Sequence, residues 1–113
     1  MKLVDSISVA ELSAMASSMY DNLVKAVVDV ERKLVVVDAP MHVDEAQFLL
    51  ESGSRQSDLW GINLYPDDYG TDDFVEFDSM INVRPAQGNR SRDIEDESLR
   101  GVILEIVAEV VHA

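Results

Sequence analysis

Leu23-Val24-Lys25-Ala26-Val27-Val28-Asp29-Val30-Glu31-Arg32-Lys33-Leu34-Val35-Val36-Val37 is the stretch on which the fold turns. Valine dominates it, and a side chain branched at Cβ packs well on a pleated surface while losing rotamer freedom in a helix. The charged Glu31-Arg32-Lys33 predicts a turn, so Leu23–Val30 and Lys33–Val37 read as the arms of a hairpin. The glycine of a favoured two-residue turn is missing. By the period of two, Val24, Ala26, Val28 and Val30 share one face of the first arm, and Leu23, Lys25, Val27 and Asp29 the other. Apolar residues on both faces require cover on both. This predicts a homodimer that buries part of Val24, Val28, Val35 or Val37 against a second copy, a two-fold pair being the commonest closed arrangement.

Outward from the hairpin, Ser8-Val9-Ala10-Glu11 is a capping box, and Val9, Leu12, Met15, Ala16 and Met19 then recur at helical spacing, which predicts a helix over 9–20. After Pro40, residues 44–52 read as a short helix, with Asp44 and Glu45 in its first turn and Gly53 as its C-terminal cap. Leu59–Tyr65 and Phe74–Val83 read as a second hairpin joined by a polar, turn-rich connection. Residues 86–92 lack apolar periodicity and read as loop. Leu99, Val102, Ile103, Ile106, Val107 and Val110 fall on one face of a long terminal helix. The fold class is therefore α+β: a four-stranded, mainly antiparallel sheet from two hairpins, two longer helices on one face and one short helix, all in a single domain over 1–113. The strand order stays open, because two hairpins can join through either edge.

The chain carries 9 lysines and arginines against 22 aspartates and glutamates, a formal net charge of −13. Such a surface repels phosphate backbones and anionic headgroups, so neither nucleic acid nor membrane is an expected partner. There is no cysteine, which excludes disulfides, zinc–thiolate sites and a cysteine nucleophile. The N-terminal Met1-Lys2-Leu3-Val4-Asp5 lacks the apolar run of a signal peptide, and no segment approaches the roughly 20 apolar residues of a membrane-spanning helix. Cytoplasmic localisation is the resulting expectation.

Motifs that carry chemistry are absent: no Gly-x-Gly-x-x-Gly, no Gly-Lys-Ser/Thr and no Gly-x-Ser-x-Gly occurs. His42 precedes Asp44-Glu45 by two residues, a pattern too short and common to define a metal site. Asp67 to Asp73 carries four aspartates, but in a calcium-loop register Tyr65 and Tyr69 occupy ligand positions and the flanks are strands, so the match fails. No metal, cofactor or catalytic residue is assigned.

One constellation stands out. On an extended Phe74–Arg84 strand, Glu76, Asp78, Asn82 and Arg84 alternate onto one face, and Gln87, Asn89, Arg90 and Arg92 follow in the loop. Arginine offers planar paired donors suited to phosphate or carboxylate. Two readings compete. In one, these arginines pair with neighbouring carboxylates and brace the loop; Arg84 in particular pairs with Glu76 or Asp78. In the other, Arg90 and Arg92 reach out to a small anionic ligand.

Asp58-Leu59-Trp60-Gly61-Ile62-Asn63-Leu64-Tyr65-Pro66, then Glu76-Phe77-Asp78-Ser79-Met80-Ile81-Asn82-Val83-Arg84-Pro85 and Gly88-Asn89-Arg90-Ser91-Arg92, together with the Lys25–Asp29 strand, resemble a small prokaryotic family of uncharacterised domains over nearly the whole chain. The resemblance implies a stand-alone single-domain protein of a bacterium or archaeon, and no activity. Function then divides into two classes. The favoured one is a non-enzymatic binding or homo-oligomeric assembly module, because no activated nucleophile or base is identifiable. The alternative is a small enzyme or ligand binder using the Glu76–Arg92 face for an anionic or polar small molecule.

Overall fold

The computed structural model describes all residues, Met1 to Ala113. Strands β1 (Lys2–Val4) and β2 (Ile7–Ser8) lead into helix α1 (Val9–Met19); the hairpin β3 (Val24–Asp29) and β4 (Leu34–Val37) follows. Helix α2 (His42–Glu51), β5 (Leu59–Leu64), β6 (Val75–Glu76), helix α3 (Glu97–Val110) and β7 (Val111–His112) complete the chain. The main sheet has the order β1-β4-β3-β5-β6 with every neighbouring pair antiparallel, while β2 and β7 form a separate parallel pair. The fold is thus α+β as expected, but with five strands in the main sheet rather than four. The additional strand is β1, which pairs Lys2, Leu3 and Val4 with Val37, Val36 and Val35. Three residues are too few to show a period, so only the free edge of β4 makes them a strand.

The central hairpin turns without glycine because Asp29 organises it. Its Oδ1 accepts the Glu31 and Arg32 amides, each at 2.9 Å, while Oδ2 accepts the Ser54 hydroxyl at 2.6 Å. Lys33 then adopts φ +57° to return the chain. An aspartate that caps its own turn replaces the backbone freedom glycine would supply.

Both faces of the hairpin are covered within one chain. On one side Val24, Ala26, Val28, Val35 and Val37 pack with Trp60, Ile62 and Leu64 against Leu12 and Ala16 of α1 and Ile103, Ile106, Val107 and Val110 of α3. On the other, Val27 and Val36 pack with Leu59 against Leu49 of α2. The four valines assigned to a dimer interface are each no more than 3% exposed in the single chain. They lie on the α1–α3 side and are covered there, while the short helix, with Leu59 and Ile81, covers Val27 and Val36 on the other.

The helix ends follow their local sequence. The Ser8 hydroxyl accepts the Glu11 amide at 3.1 Å. The Asp96 carboxylate accepts the Ser98 and Leu99 amides at the start of α3. At the end of α2, Gly53 at φ +107° lets its amide reach Leu50 O and the Ser54 amide reach Leu49 O, the paired reversal bonds of a left-handed C-terminal cap.

The largest departure lies after β6. The second arm of the second hairpin, expected over Phe74–Val83, pairs only at Val75 and Glu76. Ser79 then caps a 3-10 turn over Met80–Asn82, its hydroxyl accepting the Ile81 amide at 3.3 Å. With the strand ended, the outward N–H and C=O of Gly61 lose their ladder partners. The Asn82 side chain replaces them: Oδ1 accepts the Gly61 amide at 2.8 Å, and Nδ2 donates to Gly61 O at 2.9 Å and Arg92 O at 3.0 Å. Gly61 itself allows the close approach, since a Cβ there would stand 2.6 Å from both Cβ and Oγ of Ser79.

Candidate functional site

The row expected along Phe74–Arg84 does not exist as a row, because its period of two ends with β6. Glu76 lies instead across the sheet from Asn63, which is itself paired with Lys25. Its Oε1 accepts Asn63 Nδ2 at 2.8 Å and the Tyr65 hydroxyl at 2.9 Å. Asp78 pairs with Arg92 (Nε to Oδ1, 2.6 Å), so Arg92 is a brace. Asn82 and Asn89 are buried. The Asn89 amide donates to Asn82 O and Asp93 O, each at 2.7 Å, and its Oδ1 accepts the Glu95 amide at 2.9 Å. Gln87 donates to Ser57 O at 3.1 Å. The Arg90 side chain makes no ion pair, while its backbone amide, that of Ser91 and the Ser91 hydroxyl all donate to Glu95. Those bonds, led by the one from Arg90, hold the Glu95 carboxyl below its usual range.

Arg84 departs furthest from expectation, for it meets neither Glu76 nor Asp78. Nη1 donates to Gln56 O at 2.6 Å and to Gln87 Oε1 at 3.2 Å, and Nη2 donates to Leu59 O at 2.5 Å. The guanidinium carbon stacks 3.8 Å from the centre of the Trp60 ring. The predicted site residues therefore do not converge on one ligand position; most of them tie the 78–95 segment to itself and to β5.

Concave surface occurs elsewhere. A cavity of about 450 Å³ runs between α3 and the segment that leads into and out of β6. One wall carries Tyr69, Phe74, Val75 and Phe77, the other Leu104 and Ala108. The Tyr69 and Phe74 rings meet edge to face at 5.1 Å, which gives that wall a fixed shape. Leu104 is 45% exposed and Tyr69 41% exposed, so apolar surface is left open to water here. Val75 and Asp72 also line a second cleft of about 290 Å³, whose other members are Tyr65, Asp68, Asp73 and Glu76. None of its four carboxylates is ion-paired. Burial, reinforced by the hydrogen bond to Glu76 and its charge, pushes the Tyr65 hydroxyl up to about 12, so it stays a donor at neutral pH. An apolar trough thus opens directly onto an acidic cleft. The sequence marks the connection that carries these aspartates as polar and turn-rich. It does not mark the trough, because its two walls lie some thirty residues apart and show no joint pattern in the chain.

A third polar group lies under α2. His42 is 7% exposed, and its Nε2–H donates to Ile62 O at 2.8 Å. Burial outweighs that bond and keeps the ring below its ordinary pKa, hence neutral near pH 7. Glu45, one turn on, is fully buried, and neither carboxyl oxygen has a hydrogen-bond partner. Burial raises it to about 10; the Ala39 backbone and Lys25 act in the opposite direction and do not overcome it. No group of three or more histidines, aspartates and glutamates is arranged to hold a metal ion.

Glu45 gives a signed prediction. The folded protein keeps this carboxyl protonated to about pH 10, whereas the unfolded chain releases the proton near 4.5. Between those values the native state binds more protons, so the stability linked to Glu45 is complete in acid and falls as pH rises. Glu45→Gln is expected to flatten this slope, with its melting temperature exceeding the parent's by more at pH 8.5 than at pH 5. Parallel melting curves at both pH values would contradict a protonated Glu45.

A family model described as a protein of unknown function, DUF5674, matches residues 2–110. The chain belongs to this family. The matched span takes in all three helices, the whole main sheet, the acidic cleft and every lining residue of the DUF5674 trough except Val111. No curated protein and no solved structure matches the chain. No helix is long and apolar enough to cross a membrane.

Proposed function

We propose that this domain is a non-enzymatic binding module, whose trough along α3 takes an apolar side chain of a partner segment while lysine or arginine beside it enters the acidic cleft. The observation that carries the reading is the join at Asp72 and Val75 between an open apolar trough and four unpaired carboxylates. Apolar contact supplies most of the affinity in such an arrangement, and charge supplies orientation and speed of encounter. The overall charge of −13 favours the same partner. A cysteine-free chain suits a reducing compartment, and the proposal places the module in the cytosol.

The test uses a fluorescent peptide alternating leucine and lysine, with a leucine–glutamate peptide as control. Only the basic peptide is expected to bind, and more weakly as salt rises. Leu104→Glu should weaken it about tenfold or more, the loss of one well-placed contact, and Asp72→Asn should reduce the salt dependence. Equal binding of both peptides, or of neither, would end this reading. A dimer by light scattering that dissociates in Leu104→Glu would give the trough to a second copy of the chain instead.

A further inference from the structure

We propose that a cavity beside Arg84, on the α2 side of the sheet, binds a small carboxylate with an unbranched apolar tail. The cavity, about 240 Å³, has Val43, Ala46 and Leu50 of α2 on one side and Leu59 and Ile81 on the other, with Arg84, Gln47 and Gln56 completing it. It is separate from the trough, which lies along α3.

Three observations give the ligand its chemistry. First, the wall contains no carboxylate and one cation, in a chain with 22 acidic residues and 9 basic ones. Second, Arg84 has no anionic partner. Every hydrogen bond it makes goes to a neutral oxygen, and it takes part in no ion pair, unlike Arg55, Arg92 and Arg100. Its Nε is buried with no acceptor at all. Burial acting alone lowers its pKa, the effect expected of a cation withdrawn from water without a counter-charge. Third, the guanidinium is already fixed. Two of the carbonyls that hold it belong to Gln56 and Leu59, which line the cavity, and the Trp60 ring stacks against it at 3.8 Å. A planar donor group held in place loses little entropy on meeting a carboxylate, and the two match in geometry. The five apolar residues of the wall then select a tail over a bare anion.

Trp60 is the single tryptophan; its ring packs on the α1–α3 side of the sheet but stacks on Arg84, so its fluorescence reports on the site through that guanidinium. The probes are acetate, butyrate and hexanoate, with hexanol and inorganic phosphate as controls. A saturable change is expected with hexanoate, and affinity should rise roughly three- to fourfold per methylene along the series. Hexanol and phosphate should each bind at least about tenfold more weakly than hexanoate, since each lacks one half of the match. Arg84→Gln should lose hexanoate binding. Because Arg84 also braces the loop, a second variant guards the test: Ala46→Leu fills the cavity and leaves Arg84 in place. It should keep the parent's circular dichroism and melting temperature yet lose hexanoate binding by more than about tenfold. Hexanol binding as well as hexanoate would reduce the cavity to a plain apolar crevice, and phosphate binding as well would reduce it to a charge effect; either overturns the proposal. So would an unresponsive Trp60 in the parent, or a folded Ala46→Leu that binds as the parent does.

Discussion

A chain ending at Arg100 is expected to be unfolded. The cut removes Ile103, Ile106, Val107, Val110 and Val111, none more than 7% exposed, and with them the α3 contribution to the larger core. It also removes β7, so Ile7 loses its only strand partner. Burying one aliphatic side chain contributes about 1.5–3 kcal/mol, so five such losses approach or exceed the whole stability of a small domain, about 5–15 kcal/mol. Circular dichroism of the truncated chain should show no cooperative thermal transition. A sharp transition near that of the full chain would make α3 a peripheral element.

Asn82→Ala should be the most damaging single substitution of a polar residue. The side chain is fully buried and satisfies three backbone groups at once, the Gly61 amide, the Gly61 carbonyl and the Arg92 carbonyl. Alanine leaves all three without their side-chain partner, and each unsatisfied buried group costs about 1–3 kcal/mol. A loss of about 3 kcal/mol or more follows, lowering the melting temperature by more than about 10 °C for a domain of this size. Asn82→Asp keeps the shape and the acceptor for the Gly61 amide but turns the donor into an oxygen facing two carbonyls. It should be at least as harmful as alanine. Urea titrations of the two variants decide the matter: a cost below about 1 kcal/mol for alanine would mean that the 78–95 segment is held chiefly by its other contacts.

Asn82 also shows where reading the chain alone reached its limit. Its type and its neighbourhood marked it as a candidate ligand residue on a strand face. Its real task arises because β6 stops at Glu76, which leaves two polar groups of β5 without partners. Little in the run Glu76-Phe77-Asp78-Ser79-Met80-Ile81-Asn82 announces that stop, since Phe77 and Ile81 keep to one face of an extended strand. The 3-10 turn wins because Ser79 caps it and Asn82 repays the lost ladder bonds. The same limit applies to Arg84. Spacing of two along a strand puts it on one face with Glu76, Asp78 and Asn82, but once the strand ends that rule lapses, and it turns to the carbonyls of Gln56 and Leu59 and the face of Trp60.

What the sequence by itself determined is the local part of the structure. The capping box at Ser8, the valine-rich hairpin, the glycine that ends α2 and the apolar stripe of α3 each follow from residues a few positions apart, and each formed as read except that Val102 of the stripe faces water. Only the tertiary structure decided that Lys2–Val4 joins the sheet, that both faces of the hairpin find cover in one chain, and that Asn82, Arg84, Asn89 and Arg92 serve as ties rather than a row. The reason is the same in each case. A buried donor or acceptor, or an uncovered valine, must find a partner wherever the rest of the chain places one, and sequence spacing carries no record of that distance.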